Sequence, residues 1–191
     1  MRHPPEIYRR RRIAAGVMAV MLVLFILLCF GLFGTKSTVA LQGDQLGPDN
    51  ESREEYVARA ADALAAADEP AYALVSFDES LNSQQVAALA EPAPRMSAII
   101  LGMAAPLAVP EPTAGADRAG VIDTEIKRLR DSYAGVGQAN VPSKVDAVIV
   151  WADGDSLREI AGNELVAAVE PAPADAAWGS FGVRPLNSLQ Y

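Results

Sequence analysis

The sequence predicts an α+β protein: one N-terminal transmembrane helix, then an extracytoplasmic domain built from a repeated βαβ unit with an extra helix inserted between the repeats. Three observations carry that prediction. Residues 13–33, IAAGVMAVMLVLFILLCFGLF, contain no charge. Two later stretches, AYALVSFDESLNSQQVAALAEPAPRMSAIILGM and SKVDAVIVWADGDSLREIAGNELVAAVEP, follow the same strand–helix–strand plan. Between them, VIDTEIKRLRDSYAG spaces its apolar residues as one helical face.

The apolar run is 21 residues long, which as a helix measures about 31 Å, the thickness of a bilayer's hydrocarbon core. It is too long for the apolar region of a cleavable signal, so Ile13 to Phe33 is expected to cross the lipid bilayer and to stay attached. Ala40 offers the best cleavage site if it is removed. Cys29 lacks the small residues that precede a lipoprotein cysteine and reads as an apolar residue of the span. Residues 1–12 form a basic tail in which Arg9, Arg10, Arg11 and Arg12 flank the membrane; this excess of arginine keeps the N-terminus in the cytoplasm. A twin-arginine export signal would use the same residues. Ala15, Gly16 and Ala19 give the span a small-residue face suited to close approach by another helix.

Charge divides sharply at the anchor. The first 12 residues sum to +4 and those beyond Gly34 to −12, making the net −8 of the whole chain. An acidic exterior excludes nucleic acid as a partner and disfavours adhesion to anionic lipid. The single cysteine lies in the span, so no disulfide is available to the outer domain and burial has to stabilise it.

Residues 34–48 read as a tether and 49–170 as the folded domain. In ESREEYVARAADALAAADEP, Ser52 and Glu55 have capping-box spacing, Tyr56, Ala60, Ala63, Leu64 and Ala67 share a face, and Pro70 ends the helix. The first repeat gives a strand over Ala71 to Phe77, a helix over Ser83 to Ala90 capped by Asn82, and a strand over Met96 to Leu101. The second gives a strand over Val145 to Trp151, a helix near Ser156 to Ala161 stopped by Gly162, and a strand over Glu164 to Val169. Leu74, Val75, Phe77, Ile99, Leu101, Val148, Val150 and Trp151 are expected to build one shared core, because each repeat alone is too small to offset its ordering entropy. The inserted helix presents Ile122, Ile126, Leu129 and Tyr133. Four strands in paired βαβ units resemble the ferredoxin-like α+β sandwich.

Chemistry is sparse. The sole histidine, His3, is in the cytoplasmic tail, so the outer domain lacks the parts of a Ser-His-Asp triad or a histidine-zinc site. Asp153-Gly154-Asp155 has carboxylates spaced to hold a hard cation, but Asp at a strand-to-helix turn also caps the next helix, and Asp78-Glu79 is expected at the equivalent turn of the first repeat. Asn50-Glu51-Ser52 fits a glycosylation sequon, while Asn50 also stands where a helix should begin. No catalytic, cofactor-binding or metal-ligating set emerges.

The Ala-rich acidic composition and the arginine-flanked single span resemble envelope proteins of high-GC Gram-positive bacteria, among which accessory subunits of respiratory supercomplexes share this layout. The resemblance implies a non-enzymatic subunit that docks on and stabilises a larger integral membrane protein complex. An extracytoplasmic sensor binding a ligand or peptide at a sheet edge is the alternative, and an enzyme using Asp78, Glu79, Asp153 and Asp155 comes last. In the Pro/Ala-rich tail, residues 171–191, Trp178 and Phe181 either fold back on the domain or anchor a partner, with Arg184 beside them.

Overall fold

The computed structural model describes residues 14–23, 25, 44–135 and 141–186. The chain divides into two units, Met1–Ala40 and Leu41–Tyr191. In the first, residues 14–23 and 25 are helical (α1); the remainder of the expected span, and Arg9 to Arg12, lie outside the described residues. Among the described residues no helix is long and apolar enough to cross a membrane.

The second unit is α+β. Helix α2 (Arg53–Ala65) begins where the capping box places it: Ser52 accepts from the Glu55 N–H and the Glu55 side chain accepts from the Ser52 N–H. Asn50 is not the cap. It lies two residues earlier with φ of 54°, and its amide donates to Asp49 (3.1 Å). Strand β2 (Ala71–Leu81) runs four residues past the expected end at Phe77. Its ladder with β5 (Val145–Ala152) breaks after Ser76 and resumes at Leu81, because Leu81 is buried and carries the strand on until it reaches the core. Within the break, the Ser80 hydroxyl donates to Asp146 of β5 (2.6 Å). Asp78 and Glu79 therefore lie on a strand, and the residue equivalent to Asp153 is Asn82, which caps α3 (Ser83–Leu89) through the Gln85 N–H (2.9 Å).

The chain continues through β3 (Arg95–Ile100), the short β4 (Leu107–Ala108), the inserted helix α4 (Arg118–Ser132), then β5, α5 (Gly154–Ala161) and β6 (Val166–Pro171). Helix α5 starts two residues before its expected position and β6 two residues after, since Val166 to Pro171 pair with β2 whereas Glu164 and Leu165 still belong to the turn. Arg118 fixes the insertion by donating to the carbonyls of Ala90 and Ala93 and to Glu111.

The five strands form one antiparallel sheet in the order β4-β3-β5-β2-β6. The two repeats interleave: β5 lies between β2 and β3, and β2 lies between β5 and β6. Neither repeat can make its sheet without a strand of the other. Strand alternation then separates two apolar faces. Ala73, Val75, Phe77, Val148, Val150 and Ile99 meet α3, α4 and α5 in the larger cluster. Leu74, Ala98, Ile100, Ala147 and Ile149 form the opposite, outer face. Of the eight residues expected to share one core, six lie in the larger cluster, Leu74 is buried in the outer one, and Trp151 is 37% exposed on the outer face.

That outer face is covered by chain expected to be tether and tail. Strands β1 (Gln45–Leu46) and β7 (Gly182–Val183) pair in parallel, and Leu46, Ala172, Phe181 and Val183 pack on the sheet. Tyr56 and Ala60 of α2 join Ala168 and Leu186 alongside. The approach is possible because the sheet offers small residues there, Ala98, Ala147 and Ala168, which leave room for a third layer. Gly47 turns the strap onto this face with φ of +102°; a Cβ there would lie 1.8 Å from the Arg184 carbonyl oxygen.

Candidate functional site

At the end of the outer face where β2 begins and β5 ends, the register places Tyr72 opposite Trp151 and Trp151 opposite Arg95. Opposed residues of an antiparallel pair share a face with Cβ atoms about 5 Å apart. On the far side the Ala172 N–H donates to the Tyr72 carbonyl (2.7 Å). The row across the sheet is therefore Arg95, Trp151, Tyr72, Ala172.

The C-terminal segment lays two more rings on this row. Trp178 lies 5.4 Å from Tyr72 between ring centres, Phe181 lies 5.7 Å from Tyr72, and Trp178 meets Phe181 edge-on at 6.2 Å. A tight turn brings them to one side: the Ser180 N–H donates to the Ala177 carbonyl (3.0 Å), and Gly179 takes φ of +81° between the rings. Phe181 is half-buried, while Trp178 remains 42% exposed. Both tryptophans of the chain are thus partly open on one aromatic patch. Arg184 is engaged elsewhere: its N–H donates to the Leu46 carbonyl (2.8 Å), its guanidinium to the Pro48 carbonyl (3.1 Å), and it faces Asp49 at 3.8 Å. It holds the strap.

The main charged constellation of the domain lies under that strap. Glu170, on the outer face of β6 and 4% exposed, accepts from the Gly47 N–H (2.6 Å) and from Arg59. Arg59 also donates to Glu51 (2.7 Å) and to the Gly47 carbonyl (3.1 Å), and stacks over the Tyr56 ring. The hydrogen bond from Arg59 holds the Glu51 carboxyl below its ordinary range. Burial, with the negative Glu170 nearby, pushes the Tyr56 hydroxyl above its ordinary range. The buried Tyr56 and Ser76 hydroxyls have no hydrogen bond of ordinary geometry. This network fastens α2 and the strap to β6.

Three of the four carboxylates considered for catalysis or cation binding are engaged as structural groups, while Glu79 is exposed on β2 and in no ion pair among the described residues. Asp78 pairs with Arg53, Asp155 with Arg158 (2.8 Å), and Asp153 accepts from the Ser156 N–H (2.9 Å), a bond that lowers its pKa from the ordinary value. Gly154 between them is set by packing: its Cβ would lie 1.9 Å from the Ala67 carbonyl oxygen. Among the described residues no group of three His, Cys, Asp or Glu side chains is placed to hold a metal ion. On α1, Ala15 and Ala19 line a strip with Met18, Leu22 and Phe25, and Gly16 adjoins open space.

Tyr72 and Trp151 are the patch residues that sequence reading missed. Their parity was the available signal, since Tyr72 and Leu74, like Ile149 and Trp151, alternate away from Ala73, Val75, Val148 and Val150. The unbroken apolar run AVIVWA, residues 147–152, hides that alternation, because both sheet faces are covered. No protein-family model, no curated protein and no solved structure matches the chain.

Proposed function

We propose that the chain is a single-pass membrane protein, N-terminus in the cytoplasm, whose extracytoplasmic ferredoxin-like domain docks on a larger integral membrane protein complex as a non-enzymatic accessory subunit. The observation that carries the proposal is the aromatic patch. A tail that packs on its own domain has its rings available for burial, yet Trp178 and Trp151 are left partly in water, and aromatic anchors of this kind are favoured at interfaces. The interleaved order β3-β5-β2-β6 supports the ferredoxin-like assignment. The charge-free run from Ile13 to Phe33, with Arg9 to Arg12 before it, supports the anchor and its direction. Ala15, Gly16 and Ala19 would add a helix contact within the bilayer. A respiratory electron-transport supercomplex fits the layout.

Affinity-tagged full-length protein, solubilised in mild detergent, identifies the partner by what co-purifies. Trp178→Ala is expected to weaken that association by about 2 kcal/mol, roughly thirtyfold, and to lower the melting temperature only slightly, since the side chain is 42% exposed. A markedly lower melting temperature with the partner retained makes the segment a packing element and removes the docking role.

One observation favours the sensor reading. A groove of about 510 Å³ lies between α4 and the loop around β4, lined by Leu101, Leu107, Leu129, Tyr133 and Pro142. If it takes an apolar ligand, titration with a naphthalene-sulfonate dye gives saturable fluorescence that Leu107→Arg abolishes. A response unchanged by that substitution rejects the groove as a binding site.

A further inference from the structure

The docking reading leaves the chemistry of the partner open, and the patch carries information about it. We infer that the patch recognises a basic, extended segment of the partner protein. The inference rests on the docking proposal and deepens it.

Aromatic ring faces carry negative quadrupole density and attract guanidinium or ammonium groups, and here the open rings are tryptophans, the strongest in that respect. The acids around them point the same way. Asp68 and Glu69 line one recess with Ala172, the last residue of the row, and Asp175 precedes Trp178 by three residues. All three are exposed, and none is in an ion pair among the described residues. Arg95 is the one base in the row. It stands on β3, beyond Trp151 and on the side away from Tyr72 and Ala172. Arg158 reaches the Ala67 carbonyl beside Asp68 but is paired with Asp155, so the acid without an ion pair collects on the β2 and β6 side, and the partner's cations belong there.

Two other occupants are disfavoured by charge. A second copy would bring together two exteriors that each carry −12, and an anionic membrane surface would meet the same repulsion. The shape of the patch favours an extended segment. From Trp151 across Tyr72 to Ala172 is two strand spacings, about 10 Å, the reach of about three residues of extended chain. Alternate basic side chains would then fall on the rings and acids, with the residues between them facing away.

The chain supplies its own reporter, because its two tryptophans are both in the patch. Full-length protein in detergent micelles is titrated with a short peptide alternating arginine and alanine, and separately with one alternating glutamate and alanine, while tryptophan emission is followed. The arginine peptide is expected to give a saturable change that weakens at least about tenfold between about 0.05 and 0.5 M salt. A comparable loss is expected in the triple variant Asp68→Asn, Glu69→Gln, Asp175→Asn, which leaves the core untouched. An equal response to the glutamate peptide, no saturation by about 1 mM, or unchanged binding by the neutralised variant each overturns the inference. Co-purification of the natural partner separates this from the docking proposal. Loss with Trp178→Ala but not with the triple variant keeps docking and rejects a basic partner segment. Retention with Trp178→Ala rejects docking at the patch.

Discussion

Arg59→Ala is expected to lower the unfolding free energy by about 3 kcal/mol, the low end of the range for removing one partner of a buried ion pair, because the Arg59 side chain is 44% exposed whereas that of Glu170 is 5% exposed. The loss comes from the charge left behind rather than from the contact removed. Glu170 would keep the Gly47 N–H but lose its only cation among the described residues. Adding Glu170→Gln to Arg59→Ala should therefore recover part of the stability, since the amide oxygen still accepts from Gly47 and no charge is buried. Equilibrium denaturation of the two single variants and the double variant closes the cycle. Additive losses would mean that the pair does not act as a unit. Glu51 gives an independent readout: without Arg59 its carboxyl should titrate back toward the ordinary range, visible by NMR.

Gly154→Ala is expected to be of similar size, about 3 kcal/mol, the upper part of the range for overpacking. The added methyl would sit 1.9 Å from the Ala67 carbonyl oxygen, a backbone atom that cannot turn aside as a side chain can. Either α5 or the end of α2 has to move, and Arg158 ties those two elements together through the carbonyls of Leu64 (3.3 Å) and Ala67 (2.9 Å). The expected result is a melting temperature lowered by about 10 °C for a domain of this size. Gly162→Ala is the control, because its Cβ would come no nearer than 3.4 Å to its neighbours. Should the two variants melt together, the close approach is not what places glycine at 154.

Local signals predicted local structure well. Ser52, Asn82 and Asp153 each announced a helix start, and each accepts the hydrogen bond that its type implies. The repeated strand–helix–strand pattern pointed to a single sheet, since a unit whose apolar strands are too short to bury themselves needs the other. Long-range order was a different matter. Strands β1 and β7 are two residues each, so no periodicity marks them, and their pairing joins positions 45 and 182. Glu170 reads in sequence as one more surface acid before a proline. Its burial follows from the layer that folds over it, and only Gly47 hints at that layer. Trp151 failed as a core residue for the same reason: in a sheet covered on both sides, apolar character does not say which face a residue takes.

The parallel pairing of β1 with β7 decides how the domain would carry a mechanical load. A pull arriving from the N-terminal side of β1, opposed by a restraint beyond β7, stretches the Asp44–Gly182 and Leu46–Arg184 hydrogen bonds along their sliding direction, and the two bonds bear it together. An antiparallel pair pulled from the same ends would open one bond at a time. Glu170, gripping the Gly47 N–H one residue after β1, adds a catch that has to release before the strap can slip.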